Sequence, residues 1–211
     1  MKPWITLAEA LSPDGEKLVL SRRDTEVVIR VAGQVLMTSR IHDSEKALAQ
    51  IAAEQRARRV LIGGLGLGFT LRATLDALPG AEVIVAEMSP AIVEWNRTLI
   101  AELHGDALAD PRVRVETRDV GAVIRSEREL DAILLDVDNG PSALSRRGNR
   151  ALYAPVALRE ARNTLRAGGV YVVWSAGPDA AFEKRMREAG FTVSTRVVGS
   201  GGSKHVLFIG R

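Results

Sequence analysis

The run Arg59-Val-Leu-Ile-Gly-Gly-Leu-Gly-Leu-Gly-Phe-Thr70 constrains the fold of this chain more than any other stretch. A short apolar segment meets Gly63 and then glycines at alternate positions, Gly64, Gly66 and Gly68. A helix-like pattern follows over 69–78. Glycine lets a turn pass close under a ligand, and the N-terminus of the next helix offers backbone N–H groups to it. This reads as the nucleotide-binding turn of an α/β sheet. A dinucleotide turn is spaced G-x-G-x-x-G, which would place the third glycine at residue 69. That residue is Phe69, so the spacing G-x-G-x-G argues for another nucleotide.

Two regions follow from patterning. In residues 1–55, runs at 17–20, 26–31 and 34–39, with Ala32-Gly33 between the last two, read as a small antiparallel β element with a hairpin. Asp43 or Ser44 then caps a helix to about Gln55. Residues 56–211 alternate strands (59–63, 81–87, 112–118, 131–136, 170–175) with helices (69–78, 90–104, 120–128, 154–166). Ser89-Pro90 is an N-cap and N1 pair. Ala167-Gly168-Gly169 is expected to close the fourth helix and turn into the fifth strand. Apolar strand runs imply a parallel sheet covered on both faces. The chain ends in a helix near 179–189, a run at 191–198, a glycine-rich turn, and a run at 205–209. Two strands so joined must pair antiparallel.

Ligands of such sheets lie beyond the carboxyl ends of the strands, so the residues there are the candidate site. Gly63, Gly64, Gly66 and Gly68 end the first strand. Glu87 ends the second, roughly 20 residues after the glycine turn, where a carboxylate can accept from both ribose hydroxyls; a solvated acid ahead of a helix N-terminus is the other reading. Met88 beside it suits an adenine face or plain core. Asp119-Val120 follows the third strand; Asp119 can accept from an adenine amino group, cap the next helix, or do both. Asp136 and Asp138 end the fourth. Two carboxylates so close are costly unless they meet a cation or share a proton. They could orient an acceptor and take its proton; an Asp-Asn-Gly-Pro turn that caps its own backbone is the other reading. Asn139 and Trp174, at the ends of the fourth and fifth strands, are candidate acceptor contacts, core packing being the other reading for Trp174. In the segment 142–153, Arg146, Arg147, Asn149 and Tyr153 either contact an acceptor or form a solvated loop.

The chain from Val60 to about Ser175 resembles the spermidine synthase-like branch of the class I S-adenosylmethionine (SAM)-dependent methyltransferase superfamily. Asp110-Pro-Arg-Val113 with Asp119 is similar to that family's Asp-Pro-Arg-Val…Gly-Asp segment. Asp136…Gly140-Pro141 resembles its catalytic loop, and Leu165-Arg-Ala-Gly-Gly-Val170 its Leu-Lys-Pro-Gly-Gly-Val. The resemblance implies a class I methyltransferase, Rossmann-like doubly wound sheet with a C-terminal antiparallel hairpin and a small N-terminal β element. It also implies a SAM-type co-substrate, Asp136 as the catalytic position with Asp138 second, and a homodimer through the N-terminal β element.

The departures bear on substrate. Aminopropyltransferases of that family carry an Asp within the first glycine motif, where Gly63-Gly-Leu-Gly-Leu-Gly68 has no acid. Their Tyr-His-Glu segment has only His42-Asp-Ser-Glu45 as a counterpart, and the catalytic loop is two residues shorter. The expected activity is therefore methyl transfer from SAM to a small-molecule acceptor. The alternatives are aminopropyl transfer from decarboxylated SAM to an amine, and a non-catalytic nucleoside-binding module. An NAD-dependent dehydrogenase is disfavoured by Phe69 and the terminal hairpin.

Composition narrows the classes further. There is no cysteine, which excludes disulfides, thiolate metal sites and a cysteine nucleophile. The three histidines share no metal-ligand spacing, so no metal is expected. Basic and acidic residues, 29 against 26, are scattered, which argues against a nucleic-acid partner. No apolar run nears the ~20 residues that span a bilayer. A cytoplasmic protein is the expectation.

Overall fold

The computed structural model describes residues 2–40, 42–137, 151–199 and 204–211. Four antiparallel strands come first: β1 (Ile5–Leu11), β2 (Lys17–Arg23), β3 (Glu26–Val31) and β4 (Gln34–Thr38), paired in that order. Helix α1 (Asp43–Glu54) follows. The chain then alternates through β5 (Arg59–Gly63), α2 (Phe69–Ala77), β6 (Glu82–Ala86), α3 (Pro90–Thr98), β7 (Val113–Glu116), α4 (Val120–Ser126) and β8 (Leu130–Leu135). Beyond residue 150 come α5 (Pro155–Thr164), β9 (Leu165–Ser175), α6 (Ala180–Glu188), β10 (Val193–Val198) and β11 (His205–Gly210).

The second sheet has seven strands in the order β10-β11-β9-β8-β5-β6-β7. Strands β5 to β9 run parallel, and β11 is antiparallel to both β9 and β10. This is the expected doubly wound sheet with its terminal hairpin. The strand order reverses between β5 and β8, which opens a crevice at their carboxyl ends.

The period of two explains why the central strands are apolar throughout. Val60 and Ile62 of β5 enter one apolar cluster with α1, α2, α3 and the four-stranded sheet, while Leu61 enters the other with α4, α5 and α6. Val83 and Val85 against Ile84, and Val170 and Val172 against Tyr171 and Val173, divide the same way. Each strand therefore buries both faces, and burying one such aliphatic side chain is worth roughly 1.5–3 kcal/mol.

Several boundaries differ from the sequence expectation. Strand β1 was not anticipated, because Thr6, Ala8 and Glu9 dilute its alternation. The helix expected over 90–104 ends at Thr98 and continues as a 3-10 turn, Ala101–His104, closed by Gly105 at φ 59°. Residues 167–169 do not close α5. That helix stops at Thr164 and β9 begins at Leu165, pairing with Leu130. The register then skips, so that Ala132 faces Val170, and 166–169 bulge out with Gly168 at φ 80°.

Candidate functional site

Strand register sets the order of groups along the rim of the crevice. Gly63 pairs with Ala86 on one side and Leu135 on the other, and Leu135 pairs with Val173. The next residue of each strand is thus Glu87, Gly64, Asp136 or Trp174. Strand β11 runs the other way and opens at this rim with His205. Neighbouring strands lie about 4.8 Å apart, so these side chains form a row across the sheet. The row borders a cavity of about 470 Å³. Its far wall comes from the four-stranded sheet and α1: Asp14, Leu36, Met37, Thr38, Ser44 and Glu45.

The glycine turn is held from three sides. Gly64 sits at φ 89°, and a Cβ there would lie 2.5 Å from the Asp136 carbonyl oxygen. The turn and the end of β8 therefore meet backbone to backbone, with the Asp136 N–H donating to Gly63 O at 2.9 Å. The Glu87 carboxylate accepts the Leu65 N–H at 3.0 Å through Oε2 and the Ser89 N–H at 2.8 Å through Oε1. It thus fixes the turn and the start of α3 together. Buried Asn96 on α3 donates through Nδ2 to Gly66 O at 2.9 Å. Gly64 and Gly66 line the cavity, with Glu87, Met88, Asp119 and Val120. Gly63 and Gly68 are not among its lining residues; a Cβ on Gly63 would strike Leu135 and Val120, so that glycine serves packing. Asp119 caps α4 by accepting the Ala122 N–H at 2.9 Å and also borders the cavity.

Asp136 stands at the centre of the row. Its Oδ2 accepts the Thr70 hydroxyl at 2.6 Å. Burial, and after it the negative charge of Glu45, pushes its carboxyl up to about 7, against the pull of the Thr70 hydrogen bond. Glu45, 8% exposed, is supplied by the first turn of α1 and takes the Ser44 hydroxyl at 2.6 Å. Trp174 lines the cavity with His205, their rings 4.7 Å apart. Tyr153 does not reach it. Its ring packs edge-on against Phe182 at 5.4 Å, in the cluster on the opposite face of the sheet. Asp138, Asn139, Arg146, Arg147 and Asn149 lie outside the described residues.

Among the described residues that line the cavity there are five carboxylates, Asp14, Glu45, Glu87, Asp119 and Asp136, and one guanidinium, Arg118. Such a cavity favours cations. Among the described residues no group of His, Asp and Glu is placed to hold a metal ion, and no helix is long and apolar enough to cross a membrane. Sequence reasoning singled out neither Asp14 nor Met37 nor His205. Glu45 was visible only as a possible counterpart of a family segment, since a glutamate in a first helical turn is commonplace.

No protein-family model matches the chain. It is 29% identical over 192 residues to a polyamine aminopropyltransferase of Mycobacterium tuberculosis, an alignment covering 85% of this chain and 36% of that protein. It is 32% identical over 131 residues to a polyamine aminopropyltransferase of a Synechococcus species, covering 60% of this chain and 39% of the other. The chain therefore spans well under half the length of these curated relatives. Among solved structures, spermidine synthase from Thermotoga maritima superimposes with a TM-score of 0.78 at 18% identity, covering 97% of this chain and 72% of that one. A spermidine synthase in complex with the transition state analogue AdoDATO gives 0.77 at 19%, covering 97% and 71%. The fold is spermidine synthase-like, of the class I methyltransferase type.

These relatives correct the expectation of methyl transfer to a small molecule, which does not stand. That expectation rested on the missing acid in the glycine turn, the incomplete counterpart of the Tyr-His-Glu segment and the shorter catalytic loop. The tertiary structure brings acid to the cavity from elsewhere: Glu45 from α1 and Asp14 from the β1–β2 turn.

Proposed function

We propose that this chain carries an aminopropyltransferase centre, moving an aminopropyl group from decarboxylated SAM to an amine acceptor of the polyamine class. The observation that carries this reading is Asp136 with Glu45 at its side in a cavity where carboxylates outnumber cations. Donor and acceptor both carry ammonium groups, and a site for them needs anionic walls. The names of the relatives point the same way.

The roles follow from position. The glycine turn, Glu87 and Asp119 hold the nucleoside of the donor, with Glu87 presenting its remaining lone pairs to the ribose. Asp136 and Glu45 face the reacting carbon and the acceptor amine. The amine lone pair forms the new C–N bond, the C–S bond breaks, and its electron pair goes to sulfur, leaving a neutral thioether nucleoside. The new ammonium then loses a proton, which Asp136, poised near neutral pH, accepts. Much of the rate comes from in-line alignment of amine, carbon and sulfur. Asp138 and Asn139 are proposed as further contacts of the acceptor, and Trp174 as a wall of its pocket.

The test is incubation with decarboxylated SAM and a panel of diamines and triamines, with mass spectrometry for the thioether nucleoside and the aminopropylated amine. Formation of both in equal amounts is expected. Absence of both products with every amine would remove this reading.

A further inference from the structure

We infer that Met37 excludes the carboxylated donor, so that a thioether from the N-terminal sheet supplies the donor discrimination that an acid on the glycine turn would otherwise provide. This inference rests on the aminopropyl-transfer reading. SAM differs from its decarboxylated form by one carboxylate on the arm attached to sulfur. Backbone N–H groups where a turn feeds a helix attract such an anion. Here the Leu67 N–H, just ahead of α2, is already taken: it donates to Met37 Sδ at 3.0 Å. A thioether satisfies the N–H weakly and without charge. The turn is thereby closed to a carboxylate but stays neutral.

Two features of the chain place the sulfur there. In the β3–β4 ladder Ile29 faces Met37 and Arg30 faces Val35, which leaves Leu36 as an extra residue. The bulge interrupts the strand beside Met37, where Val35, Leu36, Met37 and Thr38 all border the cavity. On the other side, a Cβ on Gly66 would collide with the Met37 sulfur. Glycine at 66 therefore leaves the room that the thioether fills. The carboxylates around the cavity add repulsion against a further negative charge, and Arg118 is the only guanidinium among its described lining residues.

The experiment measures dissociation constants of SAM and decarboxylated SAM for the unaltered protein, Met37→Ala and Met37→Leu, with thermal melts of each. The unaltered protein should prefer decarboxylated SAM. Met37→Ala frees both the N–H and the space, so SAM should bind about tenfold tighter, the worth of one charge-assisted hydrogen bond, while the decarboxylated donor changes by less than about threefold. Met37→Leu keeps the bulk and removes the acceptor; a gain of about threefold for SAM is expected, and it carries the test should the alanine variant fail to fold. If the unaltered protein prefers decarboxylated SAM and the folded variants keep that ratio, Met37 is not the discriminating residue and the aminopropyl reading survives. If the unaltered protein prefers SAM, both fall.

Discussion

The hydroxyl of Thr70 donates to the carboxylate of Asp136 across 2.6 Å, joining the first turn of α2 to the end of β8. The glycine turn and the acidic centre are thus one unit: the helix start that follows the turn also holds the Asp136 carboxylate. Thr70 is itself buried, and its backbone carbonyl accepts the Thr74 hydroxyl. The Asp136 carboxylate is therefore held by a buried hydroxyl of α2.

Replacing Asp136 with Asn should lower turnover by roughly 10²–10⁴-fold, the range for a lost general base, while leaving donor binding nearly intact. With the native residue, kcat should rise with pH through about 7, the position to which burial and Glu45 push this carboxyl. A pH–rate profile of both proteins checks this; a flat native profile would remove Asp136 as the base.

The same shift bears on stability. Asp136 binds its proton more tightly folded than unfolded. Its contribution is therefore fully present below the ordinary value of 3.8 and is lost as pH rises to about 7. Asp136→Asn should consequently melt higher than the native protein at pH 8, with the gap closing at pH 5. Thermal melts at the two pH values decide it.

Glu45→Gln removes the charge that helps raise Asp136. The acidic limb of the pH–rate profile should move to lower pH. The KM for the amine should rise roughly tenfold, in keeping with loss of a partly buried charge partner. An unmoved limb would mean that the two carboxylates do not interact during turnover.

Glu87→Gln leaves the fold in place but weakens the grip on Leu65 and Ser89, whose N–H groups it accepts. Donor affinity should fall at least about tenfold, and stability by about 1–2 kcal/mol. Calorimetric titration with the donor, alongside denaturant unfolding, separates the two effects.

Gly68→Ala tests the turn itself. Gly68 lies at φ 80°, and a Cβ would sit 2.5 Å from His104 Cδ2. The His104 ring is buried and its Nδ1 accepts the Ala107 N–H, so it has little freedom to yield. A loss of more than about 1 kcal/mol is expected from unfolding measurements.

Much of the sheet was legible in the sequence because its signals are local. Val60 to Ile62, Val83 to Val85 and Ile133 to Leu135 are apolar without interruption, and caps such as Ser89 and Asp119 sit beside the helices they start. Boundaries were less legible where a register change, not a composition change, sets them. The bulge at 166–169 is an example: its glycines read as a helix stop, yet Leu165 already pairs with Leu130. Glu87 was expected at the site by its spacing from the turn and Asp119 by its place after the third strand; both line the cavity. Tyr153 falls in the turn ahead of α5, and its position near the acceptor loop gave no indication that its ring packs with Phe182 on the opposite face of the sheet.

The sequence by itself determined the doubly wound sheet, the glycine turn and the row of strand-end residues from Glu87 to Trp174, because the β repeat and the glycine spacing act over a few residues. Only the tertiary structure decided which chemistry that row faces. Met37, Asp14 and Glu45 come from parts of the chain far from the glycine turn; nothing local marks Met37 or Asp14, and only a family resemblance marks Glu45. They line the cavity because the four-stranded sheet and α1 fold over the crevice, and electrostatic and steric effects depend on distance in space, not on separation along the chain.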